Sequence, residues 1–421
     1  MGIGRSRILG LCVALAVLAL PAAAHAEIDG ITGPQFNLVA RPGHITTPDG
    51  ASHYSWGFAN GAGEMQYPGP TLIVNQGDVV TITLTNQLPA SAGNVSVVIP
   101  GMVATATGGV AGLVTREAEP GGMTPVTYTF TADRPGTFSY YSGGNTSLHV
   151  DMGLVGALIV RPATVGQAYD HLDSAYDHEY LFLLTEMDPL IHRAAELSCS
   201  TGVGVETSGF WPQWWFINGR AAPDTMAEAF SPLFPNQPYN CLPRMLPGER
   251  VLMRVIDAGR DRHPFHHHGN HATVIARNGG LLSSAPGNGA DLAYGDFTIG
   301  ISPGETVDAI FTWTGEALGW DVYGHAPGDP LQPGEYAPDH GKPLPVQLPA
   351  NQNLTLGGFY SGSPFLGGAM TLPPGEGGMN PNSAFTMMWH SHTEKEMTNG
   401  NIFPGGMMTM AFIEPPGTII P

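Results

Sequence analysis

The chain has 421 residues, of which 35 are acidic and 16 basic, giving a formal net charge of −19 with its 16 histidines counted neutral. That balance argues against nucleic acid or an anionic membrane as partners and favours solubility with weak attraction for cations. With 57 glycines and 38 prolines, turn residues punctuate the chain throughout and favour many short strands over long helices.

Residues 1–26 read as a cleaved leader. Arg5 and Arg7 precede the apolar run Ile8 to Leu20, and Ala24-His25-Ala26 is a small-x-small cleavage site. No twin-arginine pair is present, and no later run is long enough to span a bilayer, so the expectation is an exported chain, periplasmic or extracellular, without a membrane anchor.

Beyond the leader, Val79-Val-Thr-Ile-Thr-Leu-Thr-Asn86 alternates with a β-branched bias, and Val126–Phe130 and Leu154–Val160 repeat that character. These short strands predict a β-sandwich over residues 27–165. Arg161 to Tyr176 reads as a linker. A second β-rich unit, residues 166–421, opens near Asp177–Leu184 and includes Arg250–Ile256 and Glu305–Trp313. Ala194–Leu197 and Met226–Phe230 read as short helical turns, and Trp211, Trp214 and Trp215 as core or seam residues. Cys199 and Cys241 remain after the leader, and in an exported chain they predict a disulfide. A loop of that length adds about 4 kcal/mol on the chain-entropy model. From about 325 to 382 the chain is rich in Gly, Pro and Asn, an irregular insertion placed to cover or gate whatever follows.

What surrounds that insertion is a pair of His-x-His triplets. His263-Pro-Phe-His-His-His-Gly269 holds His266 and His268, and Trp389-His-Ser-His392 holds His390 and His392. On strands, residues i and i+2 share a face, so two neighbouring strands aim four imidazoles at one point. Neutral imidazole suits copper, zinc, nickel or iron, and the expectation is one or two ions, copper first. By the same parity His263, His267 and Ser391 point the other way.

Over nearly all of its mature length the chain resembles the multicopper oxidase family. Pro68-Gly-Pro-Thr-Leu-Ile-Val74 and Gly77-Asp78 resemble the family's first-domain opening, and Gly136–Gly143 with Gly153–Val160 resemble that domain's end. Phe216-Ile-Asn-Gly-Arg220 and Pro247–Val251 resemble the entry to a later domain. The His263–Gly269 and Trp389–His392 segments, with Gly406-Met407, resemble the last domain's copper motifs. The resemblance implies an all-β fold of tandem cupredoxin-like Greek-key sandwiches, a copper cofactor, and trinuclear-type ligands at His266, His268, His390 and His392.

It also marks what is missing. His263 matches the first ligand of the electron-transfer (type 1) copper and Met407 its axial methionine, but Ser391 stands at the cysteine position and Glu396 at the second histidine. In the first domain, Val98-Ile-Pro-Gly101 stands where His-x-His-Gly is expected, and Tyr141-Ser-Gly143 where His-Ser-His is expected. A serine hydroxyl cannot supply the thiolate bond of blue copper. The implied protein is an exported copper-dependent oxidoreductase with altered or reduced activity, acting on phenols or metal ions, its site completed where needed by a homo-oligomer or a hetero-partner. The alternative is a non-catalytic copper-binding or structural extracellular protein. His149, with Ser142 at the matching cysteine position, resembles a copper histidine of nitrite-reductase first domains and reads as a surface residue. His267 and His271 are outside the expected ligand set.

Overall fold

The computed structural model describes residues 28–343, 382 and 384–420, with two short paired strands, Thr355–Leu356 and Phe359–Tyr360. The leader lies outside the described residues, and so does most of the irregular insertion beyond 343.

Strands dominate, and they stack as two sandwiches. In the first, a five-stranded sheet runs in the order Ser52–Asn60, Gln35–Thr46, Val79–Asn86, Val126–Thr131, Thr105–Gly108. It faces a four-stranded sheet ordered Ile31–Thr32, Leu72–Asn75, Val155–Arg161, Gly136–Tyr141. The alternation in the Val79–Asn86 strand does what period-2 patterning dictates. Val80, Ile82 and Leu84 are wholly buried in a core with Trp56, Phe58 and Tyr128, while the intervening threonines stay at the surface.

The second sandwich pairs a seven-stranded sheet with a five-stranded one. The former includes Trp214–Ile217, His178–Met187, Arg250–Asp257, Thr306–Thr312 and Ala272–Arg277 in that order. The latter runs Arg244–Met245, Met408–Ile413, Phe385–Ser391, His263–His267, Thr298–Ile301. Between them lie Phe182, Trp215, Phe265, Phe311 and Trp389.

The sequence expected only a turn around Ala194–Leu197, and there the structure differs. An α-helix spans Pro189–Thr201, with Asp188 capping its N-terminus, proline in its first turn and Gly202 in the left-handed conformation at its end. It lays Ile191 and Ala195 onto the core of the first sandwich. The turn near Met226 is a single 3-10 turn, Asp224–Met226. Among the described residues, no helix is long and apolar enough to cross a membrane.

The expected disulfide is not formed; both cysteines are free. Cys199 rides the helix beside Tyr54 of the first sandwich, its Sγ 3.5 Å from the phenol oxygen. Cys241 is buried in the second core, its Sγ 4.0 Å from the Leu181 carbonyl. Cys199 is exposed on the helix of the first sandwich while Cys241 is enclosed in the second core, where burial pushes its thiol well above the usual range and makes it inert.

The sandwiches meet through the seven-stranded sheet. Val155, Ala157 and Ile159 pack against Leu181, Leu183 and Ile256, and Ile45, Met65 and Tyr67 against Met187, Trp214 and Phe216. Beside this seam Arg254, wholly buried, donates to Glu179 at 2.8 Å and to the Thr137 hydroxyl at 2.9 Å. Thr137 and Tyr169 in turn each donate to Asp308 at 2.6 Å. Arg161 completes the network on Glu179. Removing one partner of such a pair strands a buried charge. Arg254→Ala is therefore expected to cost about 3–5 kcal/mol in chemical denaturation, and a loss below 1 kcal/mol would refute this account of the seam.

Candidate metal centre

The two His triplets lie on adjacent antiparallel strands of the five-stranded sheet, in a register that pairs His266 with His390, Phe265 with Ser391 and His267 with Trp389. Pleat parity then divides the residues between two faces. Phe265 and Trp389 go inward to the core, and His266, His268 and His390 go to the other side. The backbone must turn sharply after the triplet, and Gly269 makes that possible: its φ is +111°, and a Cβ there would sit 2.2 Å from the Met387 sulfur.

Donor atoms of His266, His268 and His390 all fall within 4.8 Å of one another. His390 Nε2 lies 3.2 Å from His268 Nε2. The rings of His266 and His268 are 4.9 Å apart centre to centre, and those of His266 and His390 5.3 Å. His392 stands at the rim, its ring 5.0 Å from that of His266 but its side chain 54% exposed.

Two of the rings are oriented from behind. His266 Nδ1 is 2.8 Å from the Thr298 hydroxyl, and His390 Nδ1 is 2.7 Å from its neighbour's carbonyl, that of Ser391. A carbonyl can only accept, so His390 carries its proton on Nδ1 and presents the Nε2 lone pair to the cluster. A back-bonded imidazole of this kind is the usual arrangement of a metal ligand. Burial and the neighbouring imidazoles depress the pKa values of His266, His268 and His390, favouring the neutral, ligating form. The donor set fits a transition ion such as copper.

On the inward face the four residues aligned with an electron-transfer copper site come together, but around a carboxylate. Glu396, in the 3-10 turn Glu394–Met397, places Oε2 2.9 Å from His263 Nδ1 and 2.5 Å from Ser391 Oγ. Met407 is buried beside them, its backbone bonded to both Glu396 and Ser391. The other nitrogen, His263 Nε2, lies 3.1 Å from Glu186, a residue the sequence did not single out. Burial alone pulls the His263 pKa down, but hydrogen bonds to Glu186 and Glu396 prevail and hold it up at about 10. His263 is thus an imidazolium clamped between two carboxylates.

His149 is not at the surface, as the sequence suggested. It is wholly buried, with Nδ1 2.8 Å from the Ser142 hydroxyl and Nε2 2.9 Å from the Ala92 carbonyl. His267 turns into the core, where Nε2 accepts from the Ala272 amide and the ring meets Phe311 and Trp389 edge-on. His271 stays outside the cluster, edge-on to Phe297. Trp214 and Trp215 are buried as expected, but Trp211 is exposed, with the Lys395 ammonium 3.7 Å from its ring centre. The insertion expected to cover the site lies largely outside the described residues.

The multicopper oxidase family model matches residues 42–164, the first sandwich. The chain is 39% identical over 108 residues to the multicopper oxidase MCE of Talaromyces pinophilus, covering 25% of this chain and 16% of that protein. It is 33% identical over 133 residues to a copper-containing nitrite reductase of Alcaligenes xylosoxydans xylosoxydans, covering 31% of this chain and 37% of that one. The matched stretches thus span well under half of those relatives. In three dimensions it superposes on the blue copper oxidase of Nitrosomonas europaea with a TM-score of 0.57 at 21% identity, over 90% of this chain and 85% of that one, which establishes the tandem cupredoxin fold. The chain thus carries a multicopper oxidase domain across its first sandwich, within a tandem cupredoxin fold that runs through both.

Proposed function

We propose that this chain is an exported copper protein that performs oxidation at the imidazole face of its five-stranded sheet, without a thiolate copper to relay electrons. The convergence of His266, His268 and His390 within 4.8 Å carries the reading. Copper held there, as one ion or two, supplies redox chemistry, and the protein's part is to hold and orient it. Thr298 and the Ser391 carbonyl fix two rings, and the exposed His392 leaves one side open to a further ligand. The strands that meet the first sandwich belong to the other sheet. A second copy of the chain, or another exported chain, is therefore the natural cover for the open side.

The purified chain is expected to hold one or two copper ions and to lack an intense thiolate-to-copper absorption. Copper at a hundred times its dissociation constant should raise stability by about 2.7 kcal/mol, read as a higher Tm. His266→Ala should abolish both that shift and copper-dependent oxygen uptake with a phenolic, Mn(II) or Fe(II) substrate. Three or four coppers per chain, or none, would overturn the reading. A second reading, copper holding without turnover, draws on Glu396 bonding His263 and Ser391 where the relay copper belongs. Copper binding with no oxygen uptake on any of the three substrates would select it.

A further inference from the structure

Where the insertion begins, a second convergence of donors is formed by Asp321, just before it, and His325, Glu335 and His340 within it. We propose that these four side chains form a second, closed metal site that takes a divalent ion of zinc type and staples the segment 321–342. His340 Nδ1 lies 2.8 Å from Glu335 Oε1 and 3.9 Å from Asp321 Oδ2, and His325 Nδ1 lies 3.4 Å and 3.1 Å from the same two oxygens. A tetrahedral zinc with bonds of about 2.0–2.2 Å has ligand-to-ligand edges of about 3.3–3.5 Å. The four distances bracket that value before any ion draws the donors in.

Each donor is held from behind. His340 Nε2 donates to the Asp329 carbonyl at 2.8 Å, which leaves Nδ1 as the atom turned to the two carboxylates. Asp321 Oδ1 accepts from the Tyr323 amide and Oδ2 from Gly341; Glu335 Oε2 accepts from Gln332. The His325 ring stacks on Tyr323 with an interplanar angle of 7°. Two carboxylates, both nearly inaccessible to water, and two imidazole nitrogens converging on one point call for positive charge, which a metal ion supplies in place of protons on the rings. Secondary structure does little to hold the segment: between Asp321 and Lys342 it forms one 3-10 turn, Ala337–Asp339, and its ends close through Asp321 N to Lys342 O at 3.0 Å. His325 also lines an open cleft of 530 Å³ with Tyr323 and Gln332, which gives an ion a way in.

The test uses the full chain, stripped with a chelator and titrated with zinc, followed by diethyl pyrocarbonate modification read histidine by histidine by mass spectrometry. His325 and His340 are expected to be protected at least tenfold by zinc, and equally so in a His268→Ala/His390→Ala variant, which separates this site from the sheet site. His325→Ala/His340→Ala should bind one equivalent less. Equal modification of His325 and His340 with and without zinc in the unaltered chain would overturn the proposal, and shared protons alone would then satisfy the cluster.

Discussion

His263→Ala is expected to lower the stability of the chain by about 3–5 kcal/mol, the cost of breaking a buried ion pair from one side. The loss arises because Glu186 and Glu396, both buried, would then face a hole with no cation between them. The same cluster sets a pH dependence. The pKa of His263 stands at about 10, above its ordinary 6.5, so its stabilising contribution is complete below pH 6.5 and disappears as pH rises through 10. Asp257 acts in the same direction. Burial, reinforced by Glu186, lifts its carboxyl from 3.8 to about 8, so folding holds that proton and stability falls as pH rises from about 4 to 8. Asp257→Asn should flatten the denaturant midpoint from about pH 4 to 6.5 and leave the decline from pH 6.5 to 10 that His263 causes. Stability that rises with pH over the upper window would remove the imidazolium from the account.

Much of this was legible in the sequence, and the misses have physical causes. Alternation in Val79–Asn86 and the two-residue spacing of the histidines express a strand's period, and the pleat alone separates His266 and His268 from His263. The register pairing His266 with His390 depends on tertiary contacts across 124 positions of chain and could not be read locally. The Pro189–Thr201 helix had a legible start and stop, Asp188-Pro189 and Gly202, but two exposed leucines, Leu190 and Leu197, and a partly polar buried face, with His192 and Ser198 inside, blurred its period. The cysteines misled because an even count says nothing about where each thiol lies, one exposed on a helix and the other buried in the second core. Glu186 and Asp321 went unnoticed because a lone carboxylate in a strand or a loop carries no local signature until the chain folds a histidine onto it.

The positions at which the resemblance places thiolate copper share one arrangement in both sandwiches. Each time, a serine faces a histidine held as a hydrogen-bonded core residue, Ser142 with His149 in the first and Ser391 with His263 through Glu396 in the second. The second pocket is the more intact. His263 still points Nδ1 at the place an ion would occupy, Ser391 points its Oγ there, and Met407 remains alongside, so that a single carboxylate, Glu396, takes the ion's place.

Restoring the two missing ligands together is therefore expected to recreate a blue copper centre. In Ser391→Cys/Glu396→His, a thiolate and two imidazoles surround the position now held by the Glu396 carboxylate, with Met407 as the weak axial donor, the ligand set that defines such sites. Copper added to this variant should produce an intense visible absorption that the unaltered chain lacks. Ser391→Cys alone should not, because Glu396 would still bond His263 Nδ1 and compete for the position. Glu186, still bonded to Nε2, would orient the restored ligand from behind. A double variant that folds and binds copper without the intense band would mean that the replacement reshaped the pocket as well as its ligands.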